Sequence, residues 1–463
     1  MIALLLAVVL AQSAPEVPEG NTGAAPAALE STVNGYLDER LTLQRVRTDG
    51  LIPGDTFPRF INLTEANFQL KLRWGGRGLA LGDASFFYQR AAFFPGEEKD
   101  LPAYRPLAVI SELYGSYSFT DHANVTLGKK RVVWGPGLVL NPTDLLNPPK
   151  DPTDPSLQRA GAWLARVELP FERFTLTFVG AARALREAGG VPTALAVWPG
   201  STPRDPEYDD QVHAAAVARL YLLLADSDLN VEYFFTNLYN DAFRNKSRLG
   251  LSFSRLVGKA LEVHLEALGQ LGSARLFVDE CVNAPQFCGP DIVSRSKLDS
   301  HRRNVHALLG ARYTFGDDAL LGADYAYYSD GYDAAEWRNV LVALRLARAA
   351  GVPPPLFAPS SGGTPQRFTF EPLRRHYLFL YYMKPHLHDD FTINVTLITG
   401  LADLSAQLSP QLVWSVRDWL SLTLQLFSPI PAANPTEVGG EQYGELTLLP
   451  IDYRAVASAR FFY

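Results

Sequence analysis

The chain alternates between apolar and polar residues over most of its length. Phe68, Leu70, Leu72 and Trp74 fall on one face, and Asn67, Gln69, Lys71 and Arg73 on the other. Residues 304 to 315 set Val305, Ala307, Leu309, Ala311, Tyr313 and Phe315 against Asn304, His306, Arg312 and Thr314. Residues 391 to 397 and 420 to 426 repeat the pattern, with Phe391, Ile393, Val395 and Leu397 in one and Leu420, Leu422, Leu424 and Leu426 in the other. Strict period two over such lengths predicts strands with one apolar and one polar face.

A soluble sandwich also alternates, so the connections decide the architecture. About eighteen strands (16 to 20 allowed) are predicted between residues 34 and 463. Short connections fall at 75–77, 120–122, 170–172, 226–228, 258, 316–318, 385–390 and 417–418. Between them lie 49–64, 91–106, 135–159, 186–209, 241–245, 275–301, 331–373, 402–404 and 430–449, most of them long. Short turns at one end, long loops at the other and an even strand count predict an all-β fold, a transmembrane antiparallel β-barrel of the bacterial outer membrane. Every backbone amide of a sheet in lipid must be paired, so the sheet has to close.

Composition narrows the alternatives. The 463 residues are 47% hydrophobic and 20% charged, with 20 Tyr and 26 Phe. A mean hydropathy of -0.03 argues against a helical membrane protein. Beyond the N-terminus no uncharged apolar run approaches the length of a spanning helix; Ala214–Ala225 is broken by Arg219. The net charge of -7 without a basic block argues against nucleic acid. Residues 1–11, MIALLLAVVLA, read as a secretory signal peptide, although no Lys or Arg precedes the apolar run. Residues 12–32, rich in Ala, Pro, Gly and Ser, read as a flexible periplasmic tail, leaving 33–463 for the barrel. Export makes a disulfide between Cys281 and Cys288, the only two cysteines, the expected pairing.

The chain ends in YRAVASARFFY, with Tyr453, Ala455, Ala457, Ala459, Phe461 and Tyr463 on one face. This resembles the terminal strand by which outer-membrane proteins are recognised, and implies the barrel-assembly machinery as a partner through the Tyr463 strand. Gly128-Lys129-Lys130-Arg131-Val132-Val133-Trp134-Gly135, followed by Asn141-Pro142-Thr143-Asp144, resembles a G-R-x-x-x-x-W-G…N-P-x-D segment of large proteobacterial outer-membrane barrels, porin-like families mostly of unknown function. Alginate-export-type porins are more distantly similar. The resemblance covers about 40 residues and implies an outer-membrane channel without supplying a substrate. Lys129 stands where the family pattern has Arg.

Function in such a barrel resides on the inward face. Alternation assigns to the lumen Lys71, Arg73, Asp83, Glu112, Arg166, Glu168, Arg183, Arg219, Glu232, Arg248, Glu262, His264, Glu266, Arg312, Asp324, His376, Lys384, Arg454 and Arg460. Both signs occur, often on neighbouring strands, which predicts cross-strand pairs in a hydrated interior. Eighteen strands enclose more space than their side chains fill. Segment 135–159 is the candidate constriction loop. It carries Asp144, Lys150, Asp151, Asp154 and Arg159, and its Leu138, Val139, Leu140, Leu145 and Leu146 are too apolar for a loop in water. It either folds inward against the barrel wall or packs over the outer rim. In 331–373, Asp333 and Glu336 read as a capping pair for a helix with Trp337, Val340, Leu341 and Leu344 on one face. A protruding hairpin, or two further spanning strands, is the alternative.

Enzyme readings rank last. His264 lies between Glu262 and Glu266, an arrangement that could orient a base, but a lumen histidine in a salt-bridge ladder is the reading the pattern favours. No G-x-S-x-G or H-E-x-x-H occurs, and no metal or cofactor is called for. The tail before the barrel is too short for the plug of a TonB-dependent transporter. The sequence therefore predicts a porin-like channel for passive diffusion of small hydrophilic solutes, embedded in outer-membrane lipid. Alternatives are an exit pore for a polysaccharide, and a structural or adhesive barrel binding a partner through its outer loops. Trimers are common among porins, so a homotrimer is allowed, but no feature specifies an interface.

Overall fold

The computed structural model describes residues 29–52, 54, 57–92, 107–138, 140–146, 161–184, 212–236, 247–271, 303–349 and 373–463. Among these residues, eighteen antiparallel strands form one closed sheet. They are β1 (Glu30–Val46), β2 (Phe60–Trp74), β3 (Gly78–Ala92), β4 (Leu107–Thr120), β5 (Ala123–Lys130), β6 (Ala162–Pro170), β7 (Phe174–Ala184), β8 (Val212–Leu224), β9 (Ser227–Thr236), β10 (Ser247–Val257), β11 (Leu261–Leu271), β12 (Arg303–Thr314), β13 (Leu320–Tyr328), β14 (His376–Leu387), β15 (Phe391–Gly400), β16 (Ala406–Arg417), β17 (Leu420–Ile430) and β20 (Ile451–Phe462). A small hairpin, β18 (Thr436–Val438) and β19 (Glu441–Tyr443), interrupts the last connection. The strand count and the closed antiparallel topology are those the alternation predicts.

Each wall strand pairs with its successor in sequence, and β20 pairs with both β17 and β1. The seam is tied by its last residue. Tyr463 N donates to Gly35 O at 3.1 Å, Gly35 N donates to Tyr463 O at 3.2 Å, and the Tyr463 hydroxyl donates to Asn67 O at 2.7 Å. Gly35 allows this because the Tyr463 ring occupies the space a Cβ would need.

The outward faces are apolar. On β11 the outward row is Leu261, Val263, Leu265, Ala267, Gly269 and Leu271; on β17 it is Leu420, Leu422, Leu424 and Leu426. Leu249, Leu309 and Leu127 are each more than half exposed on this surface, as water would not favour but hydrocarbon would. Aromatic residues crowd the short-turn end: Trp74, Tyr117, Phe119, Phe171, Phe174, Tyr313, Phe315, Trp419 and Phe461. Phe171 and Phe174 stack at 4.5 Å, and Trp419 stacks on Phe461 at 6.2 Å. Phe86, Tyr88, Tyr233, Phe235 and Tyr325 form a second ring toward the long loops. Two aromatic girdles around an apolar band are the exterior of a membrane-spanning barrel.

At the long-loop end a helix, α1 (Ala334–Ala349), closes part of the mouth. The capping pair works as the sequence suggests: Asp333 Oδ1 accepts from Ala335 N at 3.0 Å and Glu336 N at 2.9 Å, and Asp333 N donates to Glu336 Oε2 at 2.8 Å. The helix buries Trp337, Val340, Leu341 and Leu344 against Leu51, Ile52 and Phe57 of the first loop and Val438 and Leu448 of the last. The helix occupies residues 334–349, where the alternative placed a strand; residues 350–372 lie outside the described residues. The sequence pattern extends β5 to residue 134, but the strand ends at Lys130. Val132 and Trp134 find apolar partners inside the barrel, and the chain leaves the wall to reach them.

Candidate functional site: the lumen and its inward segment

The inward faces carry the polar set. On β11 these are Glu262, His264, Glu266, Leu268 and Gln270, opposite Arg312, Gly310, Leu308, His306 and Asn304 on β12. Glu262 pairs with Arg312. His264 Nε2 lies 2.9 Å from Asp324 Oδ1 on β13, and both side chains are fully buried. The space above them comes from Gly310, where a Cβ would collide with both groups. On β6 Arg166 and Glu168 form an ion pair at i, i+2. On β8 Arg219 lies over the Trp134 ring at 5.2 Å and donates to Asn230 Oδ1 at 2.6 Å.

Residues 131–146, of which 139 alone is not described, cross the lumen. They start at β5, where Arg131 N donates to Glu112 Oε1 at 2.8 Å. Val132, Trp134, Leu145 and Leu146 pack on Leu164, Val179, Ala181, Val217 and Phe234, the inner wall of β6 to β9. Leu138 and Leu140 pack on Tyr377, Phe379, Tyr381 and Ile398, the inner wall of β14 and β15. Burying these leucines inside the barrel, rather than over its rim, removes them from water without exposing the strands' own inward apolar residues.

Between those two contacts the segment is fixed to Glu266. The carboxylate is fully buried and accepts from Gly137 N at 2.7 Å, Asn141 Nδ2 at 3.2 Å, Thr143 N at 3.3 Å and Thr143 Oγ1 at 2.8 Å. A buried carboxylate is tolerated only when its lone pairs are met, and four donors from one segment meet them here. Gly135, at φ 84, is required: a Cβ there would strike the Glu266 carboxyl group. Arg312 adds a hydrogen bond to Pro136 O at 2.9 Å. Trp134, Gly135 and Asn141, which carry much of the W-G…N-P-x-D resemblance, are therefore residues that dock the segment.

A second inward contact comes from the last loop. Glu445 lies beside the top of β14, where Oε1 accepts from Leu373 N at 2.9 Å, from Arg374 N at 3.2 Å and from the Tyr377 hydroxyl. Asp403 Oδ2 accepts from Glu445 N at 2.6 Å, and Leu446 joins the apolar cluster on β14. Burial pushes the Glu445 carboxyl up to about 7, a shift opposed by its hydrogen bonds with Tyr377 and Leu373 and reinforced by the nearby Asp403 charge.

The rest of the inner wall, from β15 round to β3, is mainly polar, in two ways, with scattered apolar residues such as Leu81 and Phe427. β15 to β17 present uncharged groups, Thr392, Asn394, Gln411, Ser415, Thr423 and Gln425, with Asn394 donating to Gln411 at 2.8 Å. β20 to β3 present charges. Asp38 Oδ2 accepts from Arg40 at 3.0 Å and Arg460 at 3.1 Å. Glu65 Oε1 accepts from the Tyr36 and Ser85 hydroxyls, each at 2.8 Å, and Asn67 donates to Asp83 at 2.7 Å.

Of the residues assigned to the lumen from sequence, Lys71, Glu112, Arg166, Glu168, Arg219, Glu262, Glu266, Arg312 and Asp324 lie on inward positions. Arg73 is inward in parity but exposed at the short-turn end, and Arg183 is the penultimate residue of β7. Asp144 lies within the inward segment, its amide donating to Asn141 O at 3.1 Å. Lys384 and His376 correct the assignment. They share the outward parity of Leu378, Leu380 and Tyr382, and Lys384 sits at the short-turn rim, 2.7 Å from Asp317. β14 is apolar on both faces, so alternation could not orient it; Tyr377, Phe379 and Tyr381 are the inward set. Lys150, Asp151, Cys281 and Cys288 lie outside the described residues. Sequence reasoning missed Asp38 and Glu65, which alternation would have found, and Glu445 and Asp403, which no local pattern marks.

No protein-family model matches the chain, and no curated protein sequence matches it. Solved structures similar to it include a porin and two proteins of Pseudomonas aeruginosa. The chain covers 93% of itself and 95% of Pseudomonas aeruginosa OccK11 (OpdR) at 9% identity and a TM-score of 0.49. For Pseudomonas aeruginosa OccK3 (OpdO) the figures are 94%, 96%, 10% and 0.49. For a triple mutant of the Rhodopseudomonas blastica porin they are 94%, 100%, 10% and 0.40. The architecture itself stands on the strand pairing described above.

Proposed function

We propose that this chain is an outer-membrane channel for passive diffusion of small hydrophilic solutes, narrowed by its inward segment. The observation that carries this reading is the attachment of residues 131–146 to Glu266. It packs one side of the lumen and leaves the side from β15 to β3 lined with polar groups. An apolar exterior places the sheet in lipid, and an interior of amides, hydroxyls and paired charges holds water. The path then runs between the segment and the β15–β3 wall. Its charges are of both signs and largely paired, as at Asp38 with Arg40 and Arg460, which suits small solutes better than a polymer of one charge. The barrel needs no moving part for this, because diffusion through a hydrated pore requires only width and wetting.

Single-channel conductance of the refolded protein in a planar bilayer tests the reading, with a salt gradient to report ion selectivity. A steady conductance that rises several-fold when residues 135–146 are replaced by a Gly-Ser linker is expected. A correctly folded barrel that conducts in neither form would overturn it in favour of an occluded structural barrel.

A further inference from the structure

Two carboxylates lie beneath the inward segment, and they are met in opposite ways. Glu266 receives donors from Gly137, Asn141 and Thr143. Glu232, on β9, receives none: it is 4% exposed, and neither oxygen accepts a hydrogen bond among the described residues. Its side chain leans over Gly250 of β10, where a Cβ would come within 2.5 Å of Glu232 Cγ and 2.6 Å of Oε1. It thus leans away from Arg219 on β8, its direct cross-strand partner. The Arg219 guanidinium is held elsewhere, over the Trp134 ring of the segment and on Asn230 Oδ1. Arg248, further along β10, lies over the Phe234 ring at 5.7 Å. From the segment and β11, the groups that act on Glu232 are the Glu266 and Asp144 charges and the Thr143 hydroxyl, whose proton is already given to Glu266 Oε2.

An ionised carboxylate buried without donors, with two further carboxylates near it, takes up a proton instead. As a neutral acid Glu232 needs one acceptor, and the Thr143 oxygen beside it has lone pairs to spare. The docked segment therefore fits the protonated form. When the segment lifts, Trp134 and Thr143 leave with it and water enters. Arg219 is then free to meet Glu232 across the strands, where facing side chains are within pairing distance. We propose that Glu232 is a proton-binding site that ties docking of the inward segment to pH. Docking takes up one proton at the Glu232 carboxyl group, and undocking returns it to water as the Arg219–Glu232 ion pair forms. Low pH holds the segment in, and high pH releases it. That the released segment widens a solute path rests on the channel reading; the proton site does not.

Hydrogen exchange at the Gly137 amide and single-channel conductance test it, both in a Glu445→Gln background so that the last loop adds no pH dependence of its own. Gly137 N is bonded to Glu266, so it exchanges when the segment lifts. From about pH 5 to about pH 9, exchange corrected for intrinsic rates is expected to speed up by as much as about tenfold per pH unit, the limit for release of one proton. Occupancy of the larger conductance should rise in step. Glu232→Gln, isosteric with the neutral acid, is expected to keep the segment docked and to flatten both curves. The infrared band of a protonated carboxyl group should fade over the same range in the parent and be missing from Glu232→Gln. Heat-modifiable gel migration establishes that each variant is folded. Flat exchange in the parent, or a Glu232→Gln variant that keeps the parent's pH dependence, would overturn the proton site. Exchange that follows pH in a protein that never conducts would support the proton site and remove the channel reading.

Discussion

The two sides of the inner wall are built for opposite purposes. From β6 to β15 the wall is apolar or paired beneath the inward segment: Leu164, Val179, Val217 and Phe234 lie under Trp134 and Leu146, and Tyr377 and Phe379 under Leu138 and Leu140. From β15 round to β3 most inward positions are Ser, Thr, Asn, Gln or charged, with Val413, Phe427, Val456, Leu63 and Leu81 as apolar exceptions, and no such cover lies over them among the described residues. The contrast shows that strand number alone does not set the width of this barrel. Eighteen strands would leave a wide lumen, and the segment removes the part whose wall is unsuited to water. The covered side is a small hydrophobic core inside a membrane protein, and its attachment points are where the difference between the two sides can be tested.

The largest effect is expected at Glu266. Glu266→Ala removes the shared acceptor of Gly137, Asn141 and Thr143 from a buried site. Loss of a buried, charged hydrogen-bond centre costs roughly 3 kcal/mol or more. The apolar contacts of Trp134 and Leu138 remain, so the segment should detach intermittently rather than unfold the barrel. Single-channel records should show added transitions to a larger conductance, with heat-modifiable migration unchanged. An unaltered conductance trace would mean the apolar contacts alone hold the segment.

Glu445 is the second attachment, and its behaviour should depend on pH. Its folded value, about 7, is raised above the ordinary 4.5, so the docked state binds the proton more tightly than the free loop. Docking is therefore strongest below about 4.5, weakens as pH rises toward 7, and is constant beyond; the span is roughly 3 kcal/mol. Asp403, Arg374 and the Tyr377 hydroxyl face the same carboxyl group. Hydrogen exchange at the Leu373 and Arg374 amides, corrected for intrinsic rates, should speed up across this window. Glu445→Gln should flatten the dependence, and a wild type already flat would mean that burial does not govern this group. A smaller change is expected at the mouth. Asp333→Ala removes the cap of α1 at a cost of about 1 kcal/mol, seen as faster proteolysis within residues 334–349 at unchanged conductance.

How far the sequence reveals these features follows from the range of the interactions. Strands such as β11, β12, β15 and β17 are legible because each alternates locally between lipid and lumen. β14 is not, because the covered side of the lumen makes its inner face as apolar as its outer one. The leucines of 138–146 declare that they are buried, but their partners on β6 and β14 are set by closure of the sheet and leave no mark nearby. Glu266 is readable as an inward carboxylate, yet its four donors come from a segment more than a hundred residues earlier. Glu39 is the reverse case: a local break in an otherwise apolar face, visible in the sequence once the register assigns that face to the exterior.

The smallest effect is expected where the comparison does not reach. Lys384 belongs to neither side of the lumen, since it lies at the short-turn rim on the outward parity of β14. Its ammonium is 2.7 Å from the Asp317 carboxylate and 2.6 Å from the Asp317 carbonyl oxygen, and its bond to the carboxylate, with that of the Ala319 amide, holds the Asp317 carboxyl below its usual range. Asp317 is solvated, so water and salt replace the lysine readily. Lys384→Ala should leave conductance, ion selectivity and thermal unfolding unchanged. A shift in reversal potential would place this charge on the solute path after all, and would move the narrow zone from the inward segment toward the periplasmic rim.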